Sequence, residues 1–152
     1  MYDITFDARA VNKMLARFGS DAMGKRTRAA MNESLAYMQG QVQEGTPVGV
    51  AGNLRGSIIT DIRGHSVDLS GKVFSPLPYA RYVEFGRRPG KFPPRGPIEL
   101  WARRKLGDAS LWFVVARAIA RRGTKGHFMF RNAWRSGKGN VELIFRRHIM
   151  GR

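Results

Sequence analysis

Between Gly45 and Asn53 the hydrophobic period of this chain changes from that of a helix to that of a strand, and this change restricts the folds open to it. Before the change, Met31, Leu35, Met38 and Val42 fall on one side of a predicted helix over residues 21–42, with Lys25, Arg26 and Arg28 near its start. After it, Ile58, Thr60 and Ile62 alternate, as do Val67, Leu69, Gly71 and Val73 beyond a predicted turn at residues 63–66. Two such runs read as an antiparallel hairpin. In between, Gly45, Pro47, Gly49 and Gly52 end helical structure. Residues 79–85 are rich in β-formers and predict a third strand. A three-stranded antiparallel sheet covered by the long helix is the smallest arrangement that buries both apolar faces.

The N-terminal segment fits the same plan. Residues 2–6 read as a short strand, Asp7 as a helix cap, and Val11, Met14, Leu15 and Phe18 as one face of a first helix. A chain of 152 residues suits one domain, here 1–152. It has no cysteine, so disulfides, thiolate chemistry and cysteine metal sites are excluded. With no basic-then-apolar leader and no run of apolar residues long enough to span a bilayer, the expectation is a protein neither exported nor membrane-spanning.

Six of the seven prolines lie between Pro76 and Pro97, and with Gly86, Gly90 and Gly96 they predict an extended arm or loop over about 86–97. Pro97 suits a helix start, giving a short helix over 98–106 that stops at Gly107. Ser110 is then read as the cap of a helix over 111–122, closed by Gly123. Residues 126–134 form an aromatic-rich segment after a turn, and 141–149 read equally as strand or helix. The expected fold is therefore α+β: long N-terminal helices on a small antiparallel sheet of three to four strands, a Pro/Gly-rich arm, and C-terminal helices.

The net charge is +16, and it is unevenly placed. Residues 1–76 hold nine basic and seven acidic groups, whereas residues 77–152 hold eighteen and four. A field of this strength attracts polyanions, either nucleic acid or an acidic protein. Arg87, Arg88, Lys91, Arg95, Arg103, Arg104, Arg121 and Arg122 are the candidate contacts. Trp101, Trp112, Phe113, Phe128 and Trp134, interleaved with these cations, read as core aromatics rather than base-stacking platforms.

Catalytic chemistry is thinly represented. His65, His127 and His148 lack any metal-ligand spacing, and neither a Walker A nor a GxGxxG motif is present. Glu84 is the only carboxylate between Asp68 and Glu99, too few for a two-metal site. It is expected to form an ion pair with Arg55. No cofactor, metal or catalytic residue is assigned, and the expectation is a protein that is not an enzyme.

Two blocks, Thr46 to Ile58 and Tyr79 to Gly86, with the helices before them and Gly123 to Ala133 after them, resemble the tail-component family of tailed bacteriophages. That family includes tail-completion and head-tail joining proteins. The resemblance implies a non-catalytic structural subunit of the virion neck or tail top, present in the host cytoplasm during assembly, that forms a ring with six-fold symmetry. It implies partners among neighbouring neck and tail proteins, namely a terminator, a stopper or connector and the tape measure, and DNA in the channel. Leu54, Arg55, Ile58, Tyr79, Tyr82, Glu84 and Phe85 would sit at or near a subunit boundary. The alternative is a free basic nucleic-acid-binding protein.

Overall fold

A computed structural model describes residues 3–7, 21–49, 53–66 and 68–151. The predicted helix over 11–18, its Asp7 cap and Val67 lie outside the described residues or side chains. The fold is α+β, built on two long helices and a small antiparallel sheet. Helix α1 (Asp21–Gly45) buries Met31, Leu35, Met38 and Val42, the side expected from periodicity. Enclosing side chains of this size stabilises a fold by about 1.5–3 kcal/mol each.

The sheet is built from β1 (Asp3–Asp7), β2 (Ile59–His65) and β3 (Asp68–Phe74), in the order β1-β3-β2 and antiparallel throughout. Phe74 lies opposite Asp3 on one side and Ile59 on the other. The hairpin is present, but β2 runs through most of the predicted turn, because Arg63, Gly64 and His65 still pair with Ser70, Leu69 and Asp68. The third strand is β1 and not residues 79–85. Ile58 is buried just ahead of β2, while Thr60 is exposed. A short helix, α2 (Asn53–Gly56), delivers Ile58 to the core in place of a direct entry into the strand. At Gly71 an added Cβ would lie 2.6 Å from Met31 Sδ and 2.9 Å from Leu35 Cδ1, so glycine lets α1 sit down on the sheet.

Residues 80–85 form helix α3 (Ala80–Phe85), entered by a tight turn in which Ala80 N–H donates to Leu77 O at 3.0 Å. Their β propensity is overridden by what Glu84 must reach. The chain then makes β4 (Gly86–Arg87), which pairs with β5 (Thr124–Lys125) as a two-stranded ribbon. Everything between the ribbon strands is an insertion: helix α4 (Arg95–Leu106), a 3₁₀ turn (Ala109–Leu111) and helix α5 (Trp112–Arg122). The predicted arm or loop shrinks to residues 88–94, and it is docked on α5. Gly90 N–H donates to Ala120 O at 2.8 Å, and Phe92 stacks on Phe113 with ring centroids 5.8 Å apart. Pro97 lies within the first turn of α4, where its missing N–H leaves no bond unmade. Asp108, not Ser110, caps the 3₁₀ turn that leads into α5: its Oδ1 accepts Ser110 N–H at 2.8 Å.

The last helix, α6 (Met129–Met150), runs antiparallel to α1. Thr46 Oγ1 lies 3.2 Å from Met129 Sδ at one end, Asn140 Nδ2 donates to Tyr37 Oη at 2.6 Å in the middle, and Glu33 meets Arg147 and His148 at the other end. This resolves the strand-or-helix ambiguity over 141–149. Phe130, Ala133, Gly137 and Val141 recur at helical spacing and are all buried, so tertiary packing carries the helix through Gly137 and Gly139. At Gly137 a Cβ would approach Met38 Sδ to 2.7 Å, which is why a small residue stands at the helix crossing.

Candidate functional site: an anchored aromatic helix and a basic insertion

The first sequence block is tied to the chain just ahead of the second through Ser57 and Ser75, whose hydroxyls lie 2.8 Å apart. Ser57 Oγ also donates to Leu54 O at 2.7 Å, and Ser75 Oγ accepts Leu77 N–H at 3.2 Å, so α2 is tied to the segment that leads into α3. Within the first block, Leu54 and Ile58 are buried, and Gln39 Nε2 holds Ile58 O at 2.7 Å. Arg55 is exposed. Its Nε donates to Gln43 O at 2.6 Å and Nη2 to Glu44 O at 3.5 Å, so it satisfies carbonyls at the end of α1. The expected Arg55–Glu84 ion pair does not form within the subunit.

Glu84 is 2 % exposed and serves another purpose. Its carboxylate accepts Phe130 N–H at 2.9 Å and Arg131 N–H at 3.1 Å, two amides of the first turn of α6. A negative charge there complements the helix dipole, and the two amides supply the hydrogen bonds that a buried carboxylate requires. Val83 O and Glu84 O accept His127 N–H (2.8 Å) and Phe128 N–H (3.0 Å), which holds α3 against the start of α6 along its length. Phe128, at the N-cap position, adopts φ of 53°, and no cap side chain of its own serves α6. The available sequence signal was therefore a helix start without a cap residue and an isolated acid upstream.

With its inner side fixed in this way, α3 turns Tyr79, Tyr82 and Phe85 outward, and they are 42 %, 42 % and 40 % exposed. Their spacing of three residues makes one stripe. Arginines border it. Arg81 donates to Tyr82 Oη at 2.6 Å with its guanidinium 4.6 Å from the ring centroid, and Arg131 lies 4.4 Å from Phe128 and 5.8 Å from Phe85. The hydrogen bond from Arg81, and then its charge, hold the Tyr82 phenol below its ordinary pKa, whereas burial raises that of Tyr79.

The predicted cation contacts divide into several settings. Arg87 is the second residue of β4 and its Nη2 donates to Lys91 O. Arg88 and Lys91 are exposed in the docked loop. Arg95 is engaged, with Nε 3.0 Å from Glu99 Oε2 and its guanidinium 4.9 Å from the Trp112 ring centroid. Arg103 and Arg104 lie in the last turn of α4 and Arg121 and Arg122 in the last turn of α5, where they complement the helix dipoles. Apart from Arg87 in β4, these residues lie in the insertion, spread over its loop and its two helices. The aromatics assigned to the core are corrected by the same region: Trp101 and Phe113 are exposed, as is Trp134 on α6, and only Trp112 and Phe128 are half-buried. Two short helices cannot enclose rings of that size.

Among the described residues no group of His, Asp or Glu side chains is arranged to hold a metal ion, and no helix is long and apolar enough to cross a membrane. His65 and His127 are exposed, and His148 Nε2 lies 2.7 Å from Glu33 Oε2. The arrangement offers surfaces for contact.

A family model described as "Bacteriophage HK97-gp10, putative tail-component" matches residues 8–86, from ahead of α1 through α3 to the first residue of the ribbon. No curated protein and no solved structure matches the chain.

Proposed function

Because the chain belongs to the bacteriophage HK97-gp10 tail-component family and is thus a structural tail protein of the virion, we propose that it is a neck or tail-top subunit. In this reading, copies form a ring that completes the tail and helps join it to the head. The observation that carries the reading is the Tyr79/Tyr82/Phe85 stripe. Three large aromatic groups stand outward on a helix fixed from behind by buried Glu84, which suits a preformed contact surface.

In the ring, this stripe would meet a different surface of the next copy, as any head-to-tail closed ring requires. Arg55 would lie near the boundary, and Leu54, Ile58 and Glu84 would shape it from within the subunit. Six-fold symmetry, neighbours above and below (terminator, stopper or connector, tape measure) and DNA in the channel complete the proposal. Light scattering and negative-stain microscopy of the purified protein, alone and with isolated tails, provide the test. Rings in solution, or rings formed on tails, are expected. The +16 charge favours a second reading, a free nucleic-acid-binding protein. A lasting monomer that ignores tails and binds DNA with a steep salt dependence would establish that one instead.

A further inference from the structure

The insertion folds with almost no core of its own. Its helices enclose only Ala102 and Ala116. No residue between the ribbon strands belongs to the hydrophobic core of the body, and α4, the 3₁₀ turn and α5 pack chiefly on one another. Leu100, Trp101 and Leu106 of α4 and Phe113 and Val114 of α5 are left exposed, Val114 by 63 %. On α5 the exposed residues Phe113, Val114, Arg117 and Arg121 recur at helical spacing, so apolar groups and cations share one face. Apolar surface concentrated in this way marks an interaction site.

Charge decides what can cover it. Residues 87–125 hold eleven basic and two acidic side chains, a net of +9. A second insertion facing the first would be repelled. Duplex DNA would satisfy the arginines, but its phosphate backbone would leave Leu100, Leu106 and Val114 uncovered. We propose that the insertion is a docking surface for an amphipathic helix of another protein, one whose carboxylates flank an apolar stripe. The mixture of arginine with exposed Trp and Phe is the composition that concentrates binding energy in protein interfaces. The proposal extends the structural role given above by stating the chemistry of one neighbour, and it does not depend on the ring.

The test uses the full chain and fluorescence anisotropy at physiological salt. Its probes are a helical peptide of about 21 residues with leucine and glutamate in heptad spacing, the same residues in scrambled order, a short DNA duplex and phosphatidylglycerol vesicles. The heptad peptide should bind at least ~10-fold more tightly than the scrambled one. The double variant Leu106→Ser, Val114→Ser should erase that margin while leaving DNA binding unchanged, and Arg117→Gln should weaken both. Circular dichroism checks that these exposed substitutions leave the fold intact. Equal binding of scrambled peptide, DNA or vesicles, with no response to the double variant, would reduce the surface to a polyanion contact and overturn the proposal. Loss of oligomers in the double variant would identify a second copy as the occupant, also overturning it while leaving the ring in place. Heptad preference in a protein that never forms rings supports the docking surface and counts against the ring.

Discussion

The Glu84 carboxylate accepts the backbone amide of Phe130 at 2.9 Å, so a helix near the middle of the chain caps the last one across 46 residues of sequence. That single contact fixes two things at once: where α6 begins, and which way α3 faces. Glu84→Ala should therefore leave two amides without an acceptor and destabilise the fold by about 1.5–3 kcal/mol, whereas Glu84→Gln, which keeps an acceptor and loses the charge, should cost about 1 kcal/mol. Urea denaturation measures both. Equal stability of Glu84→Ala and the parent would show that the carboxylate is not capping α6.

Gly86 and Gly123 pin the ribbon beneath the insertion. Their φ values are 78° and 70°, and an added Cβ would come within 2.2 Å of Thr124 O and 2.1 Å of Arg87 O respectively. Gly123→Ala should cost about 1–3 kcal/mol locally and loosen the ribbon. Protease cleavage within residues 88–122 should speed up while amides of the α1–α6 pair keep their hydrogen-exchange protection. Simultaneous loss of protection in α1 and α6 would contradict the separate packing of insertion and body.

What could be read from the sequence tracked the range of the forces involved. The α1 face and the β2–β3 hairpin obey local periods, and Met31, Leu35, Leu69 and Val73 lie where those periods put them. Residues 79–85 misled because their β propensity is local, while Glu84 finds its partners at Phe130 and Arg131. Gly137 and Gly139 look like breakers until Met38 and Tyr37 are placed against Gly137. The prolines of 89–97 suggest an extended arm or loop, and nothing local announces Ala120 O as the acceptor for Gly90. In the candidate site, Tyr79, Tyr82 and Phe85 were identified by motif. The apolar face of the insertion was not, since Trp101 and Phe113 look like core residues until the core is seen to lie elsewhere.

Acid should release the end of α6 first. A hydrogen bond from His148, then one from Arg147, holds the Glu33 carboxyl below its ordinary value of 4.5. Because the folded-state pKa lies below the unfolded one, the stabilising contribution is complete above the ordinary carboxylate range and disappears as pH falls through the folded value. Asp3 behaves in the same sense: burial raises its pKa, but the Thr5 hydroxyl and Lys72 together outweigh burial and lower it. Amide protection factors of residues 146–150, taken against the intrinsic exchange rate at each pH, should fall in acid in the parent chain, and Glu33→Gln should show that lower protection already at neutral pH. Identical exchange in both proteins at neutral pH would mean that Glu33 does not hold the helix end.

The outward stripe of α3 gives the most direct check on assembly. Tyr79 and Tyr82 make no contact that the subunit's own core requires, since each is 42 % exposed and the core is formed by Ala80 and other residues. Tyr82→Ser should therefore change subunit stability by less than about 0.5 kcal/mol. At a ring boundary the same substitution removes an aromatic anchor, for which about 2 kcal/mol per contact is typical, and a ring repeats each contact in every subunit. A loss of that size weakens each interface about 30-fold. Sedimentation velocity across a concentration series should then show Tyr82→Ser remaining monomeric where the parent chain forms rings, with both melting at the same temperature at dilutions where the parent is monomeric too. Unaltered rings in Tyr82→Ser together with Phe85→Ser would remove α3 from the interface and send the search to the exposed edge of β2.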